Sequence, residues 1–534
     1  MNTLTLKRFG ELGFFAGVLV TAASLPLSNF GMSQGQFIMA GGWMLAGNLP
    51  QRLHKAIRQP AFWLLTGLFL LHLAGLLNTE DFKYAGKDIR VKIPLLLMPI
   101  LIAAGPELTL KQIRITIITL MTGVLASTLA GYASYLGLTG HEVKGFRDLS
   151  LFISHIRLSL LIDVCLVLTI YLFFEIKAIS ARVLLLAYGC WMIYFLFLLQ
   201  SITGLLILAT LFAAALFSIT RNNYPPALRL TTFALLCTMV VGVWKLYDYV
   251  FIKSIAVADI NLQGLPTHTP RGNPYKHDLS RYDMENGRYV WVQYNDLEMD
   301  TAWMQRSPQR VWYNDAQGNM QLVTLARFLT YKGYSKDAAG IQRLSDEEVK
   351  IIEAGYPTPE YLPGKQGLRF RLKELADEYR IYHFNGWATG HTLTQRLEYW
   401  KTARWIIHKN PLTGVGTGDL PTAFENAYKE TNSSLSKEWQ LRAHNQYLSI
   451  GVAFGYPGLI FFCGILLYLV IIALQRHDYI YTAFLLIAIV SFLTEDTLET
   501  QAGATFFAFL NCFFLWRKKP EDAIQANWNT VGKN

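Results

Sequence analysis

Arg442-Ala443-His444-Asn445-Gln446-Tyr447-Leu448 is where a long polar segment runs directly into an apolar one. Residues 448–474 are almost wholly apolar and long enough for a membrane helix, which needs ~20 residues. His444 therefore falls at a bilayer surface, beside lipid yet reachable from water. That position suits a general base serving one soluble and one lipid-linked substrate, because neutral imidazole accepts a proton near neutral pH. The competing reading is an interfacial histidine that only hydrogen-bonds headgroups.

Working outward, the composition agrees with a membrane protein. The chain is 52% hydrophobic and 16% charged, with a mean hydropathy of +0.26. Soluble domains average about 25% charged residues. Apolar runs recur at residues 12–27, 31–49, 61–77, 93–104, 113–136, 156–174, 183–199, 204–219 and 230–246. Three more follow at 448–474, 480–493 and 502–516. The runs are continuous rather than alternating, so they predict an all-α polytopic protein of about twelve transmembrane helices rather than a barrel. The fourth run is short and is expected to gain length by snorkelling of Arg90–Lys92. The first run lacks a small-residue cleavage site and reads as a signal anchor.

Lysine and arginine in the loops set the orientation. With the N-terminus inside, Lys7, Arg8, Arg52, Lys55, Arg58, Lys111, Arg114, Lys177, Arg182, Arg221 and Arg229 share one side. Arg476 and Arg517-Lys518-Lys519 join them. Loops 78–92 and 140–157 break the trend but mix in acidic residues. The net charge of +10 is explained by this belt against anionic headgroups and implies no nucleic-acid partner. All five cysteines fall within predicted spans, so no disulfide is expected outside them.

The expected organisation is a bundle of about nine spans at 1–247, an outer domain at 248–441, about three spans at 442–516 and a tail at 517–534. The outer insert opens turn-rich, with Pro266, Pro270, Gly272, Pro274 and Asn286-Gly287, and then reads mainly helical. Ser345-Asp346-Glu347-Glu348 is a capping box. Helical spacing marks 322–331, 345–354, 369–382 and 394–408. Aromatics such as Trp291, Trp303 and Tyr289 suit a core, or stacking on sugar rings.

Three motifs in order carry a family resemblance: Arg396-Leu397-Glu398-Tyr399-Trp400, the run Asn410-Pro411-Leu412-Thr413-Gly414-Val415-Gly416-Thr417-Gly418, and His444-Asn445-Gln446-Tyr447-Leu448. Together with the large loop before the last spans, they resemble the O-antigen ligase and polymerase superfamily. Residues 493–501 are similar to the Bacteroidetes-type branch. The resemblance implies a bacterial inner-membrane transferase with its active site facing the periplasm. Ligases of the family move a glycan from undecaprenyl pyrophosphate to lipid A–core, whereas its polymerases join lipid-linked repeats. It also implies that His444 activates the acceptor hydroxyl, that arginines hold the pyrophosphate, and that no metal or nucleotide cofactor is needed. One place departs from the family: a Ser-Arg-Gly type motif is expected at a mid-chain helix start, where this chain reads Gln200-Ser201-Ile202-Thr203-Gly204.

The residue chemistry is compatible with those expectations. A pyrophosphate leaving group gains negative charge, which arginine or a divalent metal must stabilise. No Asp-x-Asp pair or His/Asp cluster with ligand spacing stands in the outer segments, which weighs against a metal. Arg157, Arg396 and Arg442 are the candidate phosphate ligands. Arg157 has an anchor at the bilayer surface as its alternative role, and Arg396 a surface contact with Trp400. Asn445 and Tyr447 are expected to hold the imidazole or touch substrate. Gly416 and Gly418 are expected to cradle phosphate or to form a tight turn over the site. Glu495, Asp496 and Glu499 read either as partners of His444 or, slightly better, as a solvated acidic cap. A flippase for lipid-linked oligosaccharide is the competing class; it calls for charges deep in spans, such as Asp163, and for broken helices.

Overall fold

The computed structural model describes residues 3–141, 143, 145–221, 224–256, 264–278, 280–281, 283–362 and 368–519. Each apolar run lies on a helix. The first nine are Thr3–Ser24, Asn29–Leu45, Pro60–Ala74, Phe82–Ala103, Leu110–Tyr135, His155–Glu175, Ile179–Leu199, Ile202–Arg221 and Pro226–Tyr247. The last three are Gln446–Gln475, Tyr479–Thr494 and Gln501–Trp516. Among the described residues, seven helical stretches are long and apolar enough to cross a membrane, including His155–Glu175 and Gln446–Gln475. Tyr479–Thr494 and Gln501–Trp516 are apolar but shorter. Helix starts fall where short polar side chains can bond the free N–H groups. Ser28, Thr109, Ser154, Asn445, Asp478 and Thr500 each accept such a bond.

The chain divides into two compact units. One comprises Met1–Cys237, Arg396–Ser433 and Gln440–Asn534. The other comprises Thr238–Gln395 and Ser434–Trp439. The sequence places the whole of 248–441 in one outer domain, but residues 396–433 pack with the membrane helices instead. Their glycine run, described below, is bonded into the break of a membrane helix. Within the first unit the basic loops meet at one end. Lys55 and Lys518 both reach Glu107, at 2.8 and 3.0 Å, and Arg517 reaches Asp478 at 2.7 Å.

The second unit is helical with two small hairpins. Asn286 and Gly287, both at positive φ, form the turn between the antiparallel strands Met284–Glu285 and Arg288–Tyr289. Lys276–His277 pairs with Val292–Tyr294. Helices Asp296–Trp303, Gln321–Lys332, Ala338–Gln342 and Asp346–Glu353 close over Trp291, Trp303, Leu325, Phe328 and Leu329. Those aromatics make a core, as the better of the two sequence readings had it. Burial of each large side chain contributes roughly 1.5–3 kcal/mol. The capping box at Ser345 forms in both directions with Glu348.

In the first unit, the helix Gln446–Gln475 is broken at Gly455, whose φ is 65°, just before Pro457. Proline has no N–H, so the Ala453 carbonyl loses its helical donor. The N–H of Gly416 supplies one at 2.9 Å, and Val415 does the same for Val452. Tyr456 donates instead to the carbonyl of Pro411 at 2.8 Å. Freed backbone groups at membrane depth must be satisfied by protein, and the Pro411–Gly418 run does so. A Cβ on Gly414 would stand 2.3 Å from the Ala453 backbone, and φ there is +66°. Gly414→Ala should therefore lower stability by about 2 kcal/mol or more. Gly86→Ala, in an open helical position, should be neutral or gain up to ~1 kcal/mol. Melting curves of the two purified variants check this; equal melting temperatures would contradict it.

Candidate active site

His444 is built by the residues around it. Asn445 caps the helix Gln446–Gln475, its Oδ1 accepting from Leu448 N at 3.1 Å and its Nδ2 donating to the Leu493 carbonyl at 2.9 Å. Tyr447 donates through its hydroxyl to the Ile489 carbonyl at 3.0 Å. On the other side, Trp400 Nε1 donates to the Ala443 carbonyl at 3.1 Å. Between these anchors His444 adopts φ +45°, a left-handed conformation uncommon for a non-glycine residue and frequent where function holds the backbone. The Tyr399 ring lies 5.7 Å from the imidazole. Asn445 and Tyr447 thus fix the backbone around His444 through carbonyls of the neighbouring helix segment; neither reaches the ring in the way the sequence suggests.

Glu495 and Asp496 come from the end of the helix Tyr479–Thr494, remote in sequence from His444. Asp496 Oδ1 stands 3.5 Å from His444 Nδ1. The contact is not within hydrogen-bond geometry, and Nδ1 has no other partner among the described residues. The Asp496 charge nevertheless holds the imidazole above its ordinary pKa, against the burial that pushes it down. Burial would raise Asp496 in turn, but its pairing with His444 holds its carboxyl below the usual range. Burial pushes the Glu495 carboxyl up, although Arg396 Nη2 donates to Oε1 at 2.8 Å. His444, Glu495 and Asp496 each offer a ligand atom within 4.8 Å of the others. The sequence expectation of no such cluster is therefore corrected: the fold assembles one from segments some fifty residues apart, which short-range spacing cannot reveal.

Arg157 lies in the first turn of His155–Glu175, within electrostatic reach of Glu495 and Asp496. It forms no ion pair among the described residues, unlike Arg396 and Arg442. The corner Gln200–Gly204 packs on the same helix at Ser159. Ser201 Oγ donates to Ser159 Oγ at 2.9 Å, and a Cβ on Gly204 would meet the Ser159 side chain at 2.7 Å.

Glu499 is the group that sequence reasoning underrated most. Its side chain is 6% exposed, so the solvated acidic cap is corrected to an inward-facing hub. Oε2 accepts from Lys92 Nζ at 2.8 Å and from Arg442 Nη2 at 3.0 Å, while Oε1 accepts from Gln446 Nε2 at 3.1 Å. Arg442 Nη1 also donates to the Tyr84 hydroxyl at 2.9 Å. Burial opposes the Glu499 charge, yet Lys92 and Arg442 outweigh it and keep the carboxyl well below the usual range. Lys92 does not snorkel as expected. It is 1% exposed and also donates to Asp88 at 2.6 Å, one turn away on the same helix. The signal was a lysine and an aspartate four residues apart, each of which the sequence had treated as surface.

The glycines are corrected too. The N–H of Gly416 serves Ala453 and that of Gly418 serves Thr79 Oγ1 at 3.2 Å, so neither donor is left for phosphate. A Cβ on Gly416 would meet the Asn78 carbonyl at 2.2 Å, which identifies close backbone approach as the reason for glycine there.

Residues 361–463 match the family model for O-antigen ligase. The resemblance to the O-antigen ligase superfamily is borne out. The matched segment contains Arg396, the glycine run, Arg442 and His444; it stops short of Glu495–Glu499 and excludes Lys92 and Arg157. No curated protein matches the chain. The histidine is thus supplied by matched residues and its acidic partners by unmatched ones. Glu499→Ala should destabilise the protein by about 3–5 kcal/mol, because it leaves the half-buried Arg442 without a carboxylate and Lys92 with Asp88 alone. Glu499→Gln, which keeps a hydrogen-bond acceptor for both, should lose less. Unfolding of the purified variants in detergent measures both, and a Glu499→Ala protein as stable as the parent would contradict the hub.

Proposed function

We propose that the chain is a membrane glycosyltransferase of about twelve spans in the bacterial inner membrane. It moves a glycan from an undecaprenyl-pyrophosphate donor to a hydroxyl of an acceptor such as lipid A–core, on the periplasmic face. The observation that carries this is the His444–Asp496 pair facing the unpaired guanidinium of Arg157, within a segment matching the O-antigen ligase family. In the proposed step the acceptor oxygen bonds to the anomeric carbon as the bond from that carbon to the pyrophosphate oxygen breaks. The acceptor proton passes to His444. With Nδ1 turned to Asp496, Nε2 is the nitrogen that receives it, and Asp496 stabilises the resulting imidazolium. Lipid pyrophosphate leaves carrying the extra negative charge. Arg157 meets that charge, and Arg396 joins it by exchanging Glu495 for phosphate.

A metal-free reaction is supported by charge. The Arg396 guanidinium neutralises Glu495, and the positive charge of Arg157 offsets that of Asp496, so the cluster carries no net negative charge to draw a dication. Against a transport role, the break in Gln446–Gln475 is closed by Val415 and Gly416 rather than left open to a path. The same residues would serve polymerisation if the acceptor hydroxyl were itself on a lipid-linked glycan.

His444→Ala should reduce transfer by roughly 10²–10⁴-fold while leaving donor binding intact. His408→Ala should be mild, since His408 only contacts the Arg404 carbonyl and the Tyr456 ring. Transfer of lipid-linked glycan by purified, reconstituted protein, with and without a chelator, is the test. A His444→Ala protein near wild-type rate would overturn the base assignment, and loss of activity on chelation would overturn the metal-free reaction.

A further inference from the structure

One cavity in the second unit, of about 510 Å³, is set apart by its charge. That volume lies within the range of small-ligand sites, ~300–1,000 Å³. Arg288 and Lys336 both stand on its wall, and no aspartate or glutamate does among the described residues. Elsewhere in the unit cations meet carboxylates: Lys276 pairs with Asp296 at 2.7 Å, Lys332 with Glu348 at 2.6 Å, and Arg327 shares Glu285 with Lys373. Arg288 and Lys336 form no ion pair among the described residues.

Lys336 is 7% exposed, and its ammonium donates to the Tyr289 carbonyl at 3.1 Å. A carbonyl satisfies one N–H but does not neutralise the charge, and lysines this buried are normally paired. Burial and the nearby Arg288 charge both act against the ammonium and lower its pKa to about 8. Arg288 itself is exposed, so its guanidinium is open to a ligand from solution. It is also held: its Nη1 lies 2.2 Å from where a Cβ on Gly333 would stand. Gly333, at φ +71°, ends the helix Gln321–Lys332, whose last carbonyls favour a cation. The guanidinium is thus positioned at the cavity without being neutralised.

Two adjacent cations without a counter-charge call for an anion, and an arginine fork matches the paired oxygens of a carboxylate or phosphate. The cavity has room for more than an ion. Tyr275, Tyr334, Gln293 and Ser335 also line it, offering half-buried rings and neutral polar groups of the kind that hold a sugar. The charge names the acidic group, and the proposed substrates supply the sugar that carries it.

We propose that this cavity is a subsite for an acidic glycan, in which Arg288 binds a carboxylate or phosphate carried on a sugar unit and Lys336 adds positive charge beside it. The inference rests on the reading that the substrates are glycans. It gives the second unit a part in selecting acidic ones, which the reaction at His444 does not require.

The test uses the full-length protein in phosphatidylcholine nanodiscs, titrated by calorimetry with glucuronate, glucose 6-phosphate, glucose and inorganic phosphate. At least one of the two acidic sugars should bind, with glucose and inorganic phosphate each weaker by roughly tenfold or more. Which acidic sugar binds tells carboxylate from phosphate. Arg288→Ala should weaken that binding by about tenfold or more, and Arg288→Lys, which keeps the charge but not the fork, by less. Arg288 is exposed, so neither variant is expected to disturb the fold, and their melting temperatures check this. Arg157→Ala should bind the acidic sugar as the parent does, which separates this subsite from the proposed pyrophosphate contact. Failure of the transfer reading would show in the rate of His444→Ala and leave these titrations as they are. Binding of neither acidic sugar, glucose binding as tightly as they do, or binding unchanged in Arg288→Ala would overturn the proposal. Inorganic phosphate binding as tightly as glucose 6-phosphate would overturn it too, by assigning the site to the free ion.

Discussion

The Glu499 carboxylate receives Lys92, Arg442 and Gln446 at once, and the outer end of the first unit depends on it. Three segments far apart in sequence meet there: the helix Phe82–Ala103, the junction before Gln446, and the turn Thr497–Glu499. A carboxylate this buried is tolerated only when its charge is compensated and its lone pairs are filled. Both conditions hold, so the turn is fixed relative to the junction. That places Asp496, three residues earlier, against His444, two residues after Arg442. The catalytic geometry is thus a by-product of an ion-pair hub that does not touch the proposed reacting atoms.

A second constraint acts from the opposite side of His444. The glycine run fills the break in Gln446–Gln475 and locks onto Gly75, Asn78 and Thr79 through Thr417 N, Gly414 O and Gly418 N. The helix whose N-terminus carries His444 is therefore held at its start by Glu499 and at its kink by residues 411–418. The proposed base gains from such fixity, because misplacement by about 1 Å can cost 10²-fold in rate.

Much of the fold was legible in the sequence because apolar runs and polar caps are local signals. Every run became a helix, and Ser345 and the Asn286-Gly287 turn formed as their residue types demand. The place of His444 at the start of an apolar helix was legible for the same reason: the change from polar to apolar sequence happens there. Lys92, Glu499 and the His444–Glu495–Asp496 cluster were not, because their meaning lies in contacts between segments far apart in sequence or across a helix turn. Gly416 and Gly418 misled in the other direction, since a glycine that admits a carbonyl and one that admits a phosphate look alike in sequence. Residues 396–433 are polar, and polarity alone does not reveal that their backbone completes a membrane helix.

The central claim is that neutral His444, tuned by Asp496, removes the acceptor proton. It is tested most directly by the pH dependence of kcat/KM for transfer by purified wild type and Asp496→Asn. Asp496 raises the His444 pKa, so the base form fills only above a pH higher than the ordinary imidazole value, and the wild-type rate should fall as pH drops through that raised value. Asp496→Asn removes the charge that favours imidazolium, so the acidic limb should move to lower pH while the maximal rate falls. A limb that stays in place in Asp496→Asn, or a rate that does not depend on pH across the imidazole range, would contradict the account.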